Sequence, residues 1–93
     1  MSKYRKLPAL IEAEKVTDLL YGFSHDFKLL PDWVIEAYDE FKISGVTDSG
    51  FYINTLEGQL LATKEDYVIK GIDDELYPCK IEIFEKTYER VGE

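Results

Sequence analysis

This 93-residue chain has one cysteine, one histidine, three prolines and six glycines that stand singly. A single cysteine excludes an internal disulfide and fits a reducing compartment. His25 and Cys79 are far apart and carry no zinc-ligand spacing, and the acidic pairs Glu65-Asp66 and Asp73-Asp74 lack the spaced order of a calcium loop. Scattered glycines form neither a P-loop nor a dinucleotide fingerprint. No apolar run approaches the roughly 20 residues of a membrane helix, and Met1-Ser2-Lys3-Tyr4 leads into no signal segment. The expectation is a soluble, cytoplasmic protein with no cofactor and no metal. Basic side chains are also scarce: eleven stand against nineteen acidic ones, for a net charge of −8. Such a surface repels phosphate backbones, so nucleic acid is not an expected direct partner, whereas a basic protein surface is.

Apolar residues, by contrast, are ample at 45%, with 14% aromatic, enough for one core in one domain spanning 1–93. Between Phe51 and Tyr88 short apolar runs alternate with turn residues. Phe51-Tyr52-Ile53, Leu60-Leu61-Ala62, Tyr67-Val68-Ile69 and Leu76-Tyr77 have the β-branched and aromatic character of strands. Glu57-Gly58, Lys64-Glu65-Asp66 and Gly71 to Asp74 are connections of hairpin length, so the spacing predicts an antiparallel meander. After Pro78 the period changes. Ile81, Phe84 and Tyr88 follow at helical intervals, with Glu82 four residues before Lys86 as a favourable surface pair.

The first half is less regular. Residues Tyr4 to Val16 read as an edge strand, because Pro8 lacks a ladder donor. Thr17-Asp18 caps a short helical turn that Gly22 is expected to end. Leu30-Pro31-Asp32 opens a longer helix that docks through Trp33, Ala37 and Phe41, with Val34 and Tyr38 adjoining. Lys42 to Val46 is a further candidate strand, and Thr47 to Gly50 a turn. The fold class is therefore α+β: a small antiparallel meander of about five or six strands, its closure into a barrel left open, with two or three short helices on one face.

Several segments in this order resemble a widespread family of small phage and prophage proteins of unknown function. They are Tyr4-Arg5-Lys6 with Pro8 and Ile11-Glu12-Ala13, Thr55-Leu56-Glu57-Gly58, Asp66-Tyr67-Val68-Ile69-Lys70-Gly71, Tyr77-Pro78-Cys79-Lys80 and Ile83-Phe84-Glu85-Lys86-Thr87-Tyr88. The resemblance runs to Tyr88, more weakly between Thr17 and Ser49, and implies a viral or prophage origin without an activity or cofactor. Lys64-Glu65 stand where the family's Pro-Gly-Asp-Tyr signature has proline and glycine. A positive φ at Glu65 would cost on the order of 1 kcal/mol, unless the turn is of another type.

The candidate chemistry is sparse. His25 reads as a loop histidine, and Cys79 as a small core thiol that Lys80 could activate only if exposed. No catalytic residue is assigned. Asp32, Glu36 and Glu40 recur every four residues with Asp39 beside the last, and no basic residue occurs between Asp32 and Phe41. They make a negative ridge, either a solvated helix face or a surface for a cationic partner. Tyr67, Lys70, Tyr77 and Lys80 form a second set, able to grip a small anionic ligand such as a nucleotide if they converge. The reading is a non-enzymatic phage or prophage accessory protein that binds, and in binding inhibits, a host or phage protein through acidic surface. An anti-defence factor is one such protein. The alternative is a nucleotide or metabolite binder.

Overall fold

The computed structural model describes residues 1–5 and 7–92. In chain order it contains β1 (Glu12–Lys15), α1 (Val16–His25), a 3-10 turn at Phe27–Leu29, α2 (Asp32–Asp39), β2 (Ile43–Ser44), β3 (Gly50–Thr55), β4 (Gly58–Thr63), β5 (Asp66–Lys70), β6 (Leu76–Lys80) and α3 (Ile81–Thr87). The class is α+β and every strand pair is antiparallel. The strands make two three-stranded sheets, ordered β1-β5-β6 and β2-β3-β4, so the run from β3 to β6 is divided between β4 and β5. No closed barrel forms.

The division has a local cause. Where a two-residue hairpin would exchange main-chain bonds, the Asp66 carboxylate accepts the Thr63 N–H at 2.8 Å and the Thr63 hydroxyl at 3.2 Å. The Thr63 hydroxyl in turn accepts the Glu65 N–H at 3.3 Å. With its donor taken by a side chain, Thr63 cannot continue a ladder into β5. The chain turns a corner instead, and β5 pairs with β1 and β6. Asp66 is 5% exposed, the one buried charged side chain among the described residues. Glu65 is not at positive φ, so the turn differs in type from one requiring glycine and carries no left-handed penalty.

One core lies between the two sheets and the first two helices. Val16, Leu19 and Leu20 of α1, Leu30, and Val34 and Ala37 of α2 meet Ile43, Phe51, Ile53, Ala62, Val68 and Leu76 in a single buried cluster, with Trp33 packed against it. The third helix is elsewhere. Strand alternation puts Val68 and Leu76 on the core side of β1-β5-β6 and Tyr67 and Tyr77 on the other, where the Phe84 ring stacks on Tyr67 with centroids 3.9 Å apart. The helices thus cover two faces of that sheet, not one. Ile83 stays 53% exposed, and the expected Glu82–Lys86 pair does not form. So weak a surface attraction does not outweigh the entropy of fixing two long side chains.

Other boundaries shift for identifiable reasons. Gly22 does not end α1, which continues to His25; a Cβ at Gly22 would lie 2.5 Å from Leu30 Cδ2, so the glycine makes room for core packing. The first strand is shorter than residues Tyr4 to Val16. Only Glu12–Lys15 pair, at the sheet edge as expected, and Lys6 lies outside the described residues. The preceding segment leaves Tyr4, Leu7 and Leu10 at least 77% exposed. Phe41 does not dock: α2 ends at Asp39, and Phe41 leaves the helix at φ 61° and 77% exposed. Its N–H bonds the Tyr38 carbonyl and the Lys42 N–H bonds the Ala37 carbonyl at 2.8 Å, the bonding of a Schellman end whose left-handed position is normally glycine.

Two stability effects follow. Asp66→Ala leaves the Thr63 N–H without a partner and is expected to lower unfolding free energy by about 1–3 kcal/mol. Phe41→Gly relieves the left-handed phenylalanine and is expected to raise it by roughly 1 kcal/mol. Urea titration of each variant checks both signs.

Candidate functional site

A groove of about 1470 Å³ has walls from both ends of the chain. One wall is the segment 8–14 leading into β1, the second is α2 through Asp32, Glu36 and Glu40, and the third is the chain around and after α3, from Phe84 to Val91. Tyr67, Lys70 and Leu76 complete the lining. Sites for small ligands commonly enclose about 300–1,000 Å³ and bury most of the ligand. A larger, open groove suits an extended segment of another chain.

The lining is strongly acidic. Among the described residues, eight carboxylates (Glu12, Glu14, Asp32, Glu36, Glu40, Asp74, Glu85 and Glu89) share it with three cations, Lys42, Lys70 and Arg90. Lys42 pairs with Glu40 at 3.2 Å, and Lys70 with Asp74 at 2.9 Å and Glu12 at 3.6 Å. The hydrogen bond between Lys70 and Asp74 holds the ammonium above its usual pKa and the carboxyl below its own. Burial raises the Glu14 carboxyl above its usual range, Asp18 and Glu12 add to this, and Arg90 partly opposes it. Among the described residues, Glu14, Asp32, Glu36, Glu85 and Glu89 have no cation within 4.0 Å.

Of the ridge foreseen on α2, all four members are exposed, and three line this groove. Asp39 does not. It borders a separate shallow depression with Tyr38, Phe41 and Val46. What the ridge pattern could not supply is the remainder of the acidic lining. Glu12 and Glu14 project on one side of β1 because strand residues two apart share a face. Glu85 and Glu89 are four apart at the other end of the chain. Their even spacing was visible, but their meeting with α2 depends on β1 and β5 pairing.

Of the second candidate set, Tyr67 and Lys70 both line this groove and Tyr77 and Lys80 do not, so the four do not converge. Tyr67 and Tyr77 are on the α3 side of sheet β1-β5-β6, and Lys70 and Lys80 on its core side. The Lys80 ammonium lies 3.4 Å from Glu65 and 3.8 Å from Asp66, so both lysines are occupied by carboxylates. Burial, with a hydrogen bond to Tyr88, pushes the Tyr77 phenol up to about 12. Cys79 shares the tyrosine face, and burial, then the Asp66 charge, raises its thiol, the opposite of nucleophile activation. His25 is at the end of α1, across the sheet from Cys79; its ring stacks on Tyr21 at 4.0 Å, and Nδ1 lies 3.0 Å from the Tyr21 carbonyl. Among the described residues no three metal-binding side chains gather, and no helix is long and apolar enough to cross a membrane.

The raised Glu14 pKa has a definite sign. Its charged form is penalised on folding, so it costs stability above its folded pKa, and that cost disappears as pH falls through the folded value toward the ordinary 4.5. Glu14→Gln is expected to raise the melting temperature relative to the unsubstituted protein more at pH 7 than at pH 4. Equal shifts at both pH values would contradict this account.

No protein-family model, no curated protein and no solved structure matches this chain.

Proposed function

We propose that the protein is a non-enzymatic binding module that holds a lysine- or arginine-rich segment of another protein in its acidic groove. The observation that carries this reading is the concentration of eight carboxylates around one open groove, five of them without an ion-pair partner among the described residues. Unpaired carboxylates crowded together repel one another in the free protein, and a polycationic segment relieves that repulsion as it binds. Nucleic acid meets the opposite electrostatics. The resemblance to phage and prophage proteins supports an accessory role in the cytoplasm of a bacterial host, with the basic partner a host or phage protein whose activity is blocked. The nucleotide-binding alternative draws less support, since its tyrosines and lysines are on opposite sides of a sheet and its lysines are already paired.

Binding of a labelled Lys- and Arg-rich peptide, followed by fluorescence anisotropy, tests the reading. The charge reversals Asp32→Lys, Glu36→Lys and Glu40→Lys together should weaken binding by about tenfold or more, equivalent to about 1.4 kcal/mol. Added salt should weaken the unsubstituted protein's binding and leave the triple variant little changed. All three side chains are exposed, so the thermal transition should persist. Undiminished binding by a folded triple variant would remove the groove from the proposal.

A further inference from the structure

The strand β4, Gly58-Gln59-Leu60-Leu61-Ala62-Thr63, has a ladder partner on one side only. Natural edge strands are usually blunted by lysine, proline or a bulge. This one has none of these. From Gly50 to Thr63 the β3–β4 hairpin contains a single charged residue, Glu57, in a chain that is 32% charged. Residues 58–61 are exposed on both faces, including Leu60 at 41% and Leu61 at 56%.

Ladder parity fixes which main-chain groups face outward. The pair Thr55↔Gly58 closes the hairpin across two residues, so Ile53↔Leu60 and Phe51↔Ala62 exchange the bonds inside it. Consistently, the Asn54 N–H turns the other way, to the Lys42 carbonyl at 2.9 Å, and the Gly50 carbonyl accepts the Thr47 N–H at 2.9 Å. On β4 the outward residues are therefore Gln59, Leu61 and Thr63. The Thr63 N–H is already taken by Asp66. Gln59 and Leu61 alone present both an N–H and a C=O without a ladder partner.

We propose that this edge joins two copies of the chain, β4 pairing antiparallel with β4 of the second copy about a two-fold axis at Leu60. In that register Gln59 of each copy faces Leu61 of the other, and the two pairs exchange four main-chain hydrogen bonds that use every such group. Leu60 meets Leu60, and the two sheets become one of six strands. Pairing around Leu61 or further along would require the Thr63 donor that Asp66 holds. Each copy carries a net charge of −8, so two copies repel as wholes, but the strand itself is uncharged and its pairing brings no carboxylates into register. The contact is isologous and closes on itself, so it ends at a dimer. No residue of β4 lines the acidic groove, so both grooves stay open, and the proposal stands whether or not they bind basic segments.

Sedimentation velocity should show the mass rising from 10.8 kDa toward twice that value as concentration increases from about 10 μM to about 1 mM, the range of a small interface. Leu61→Lys, at an exposed position, should raise the dimer dissociation constant by about tenfold or more. In a Cys79→Ser background, Leu60→Cys should cross-link on mild oxidation, because facing residues at a non-hydrogen-bonded position bring their Cα atoms within disulfide range. Leu56→Cys in the same background should not. A mass that stays at 10.8 kDa throughout, growth beyond a dimer, a Leu61→Lys protein that dimerises normally, or equal cross-linking at positions 56 and 60 would overturn the proposal.

Discussion

The arrangement of the whole chain depends on the Asp66 carboxylate reaching back to the Thr63 N–H. A main-chain donor at that place would otherwise extend the β3–β4 hairpin into a third ladder, and one flat sheet would follow. Satisfying it with a side chain ends the first sheet at Thr63, and the second sheet begins at Asp66. β5 is then free to pair with β1 on one side and β6 on the other. The Ile81 N–H, donated to the Glu65 carbonyl at 2.9 Å, secures the same corner from the end of β6. The apolar faces of the two sheets meet α1 and α2 over one core.

That corner also determines the surface chemistry. Pairing β1 with β5 carries Glu12 opposite Lys70 and Glu14 opposite Val68, while α3, stacked on Tyr67 through Phe84, delivers Glu85 and Glu89 to the same groove as α2. Charge is distributed unevenly as a result. Lys42, Lys70 and Lys80 are neutralised by carboxylates close in space, and surplus negative charge is left on α2 and around the end of α3. The β3–β4 hairpin is nearly free of charge. One molecule therefore offers two surfaces of different physics, an electrostatic groove and a main-chain edge.

Much of the fold was legible along the chain, and the reason is period. Strands β3 to β6 follow alternation and turn residues, and α2 and α3 follow intervals of three and four, so each could be placed to within a few residues. Local capping chemistry leaves no distinct mark: Thr-x-x-Asp across a two-residue link is a side-chain cap, and a hairpin uses the same residue types. Gly22 differs from expectation for another reason. Glycine at a helix end and glycine under a crossing side chain look identical until Leu30 is in place. Phe41 carried the interval of a docked residue and was turned outward by the helix ending two residues earlier.

The sequence alone determined the α+β class, the strand and helix identities from Gly50 onward, the acidic excess and the ridge at Asp32, Glu36 and Glu40. All of these arise from interactions within a few residues or from composition. Only tertiary structure decided that the strands form two sheets and that the ridge meets carboxylates from both ends of the chain. These depend on which strands pair. That choice rests on one buried carboxylate and on core packing among residues distant in sequence, and neither leaves a periodic mark.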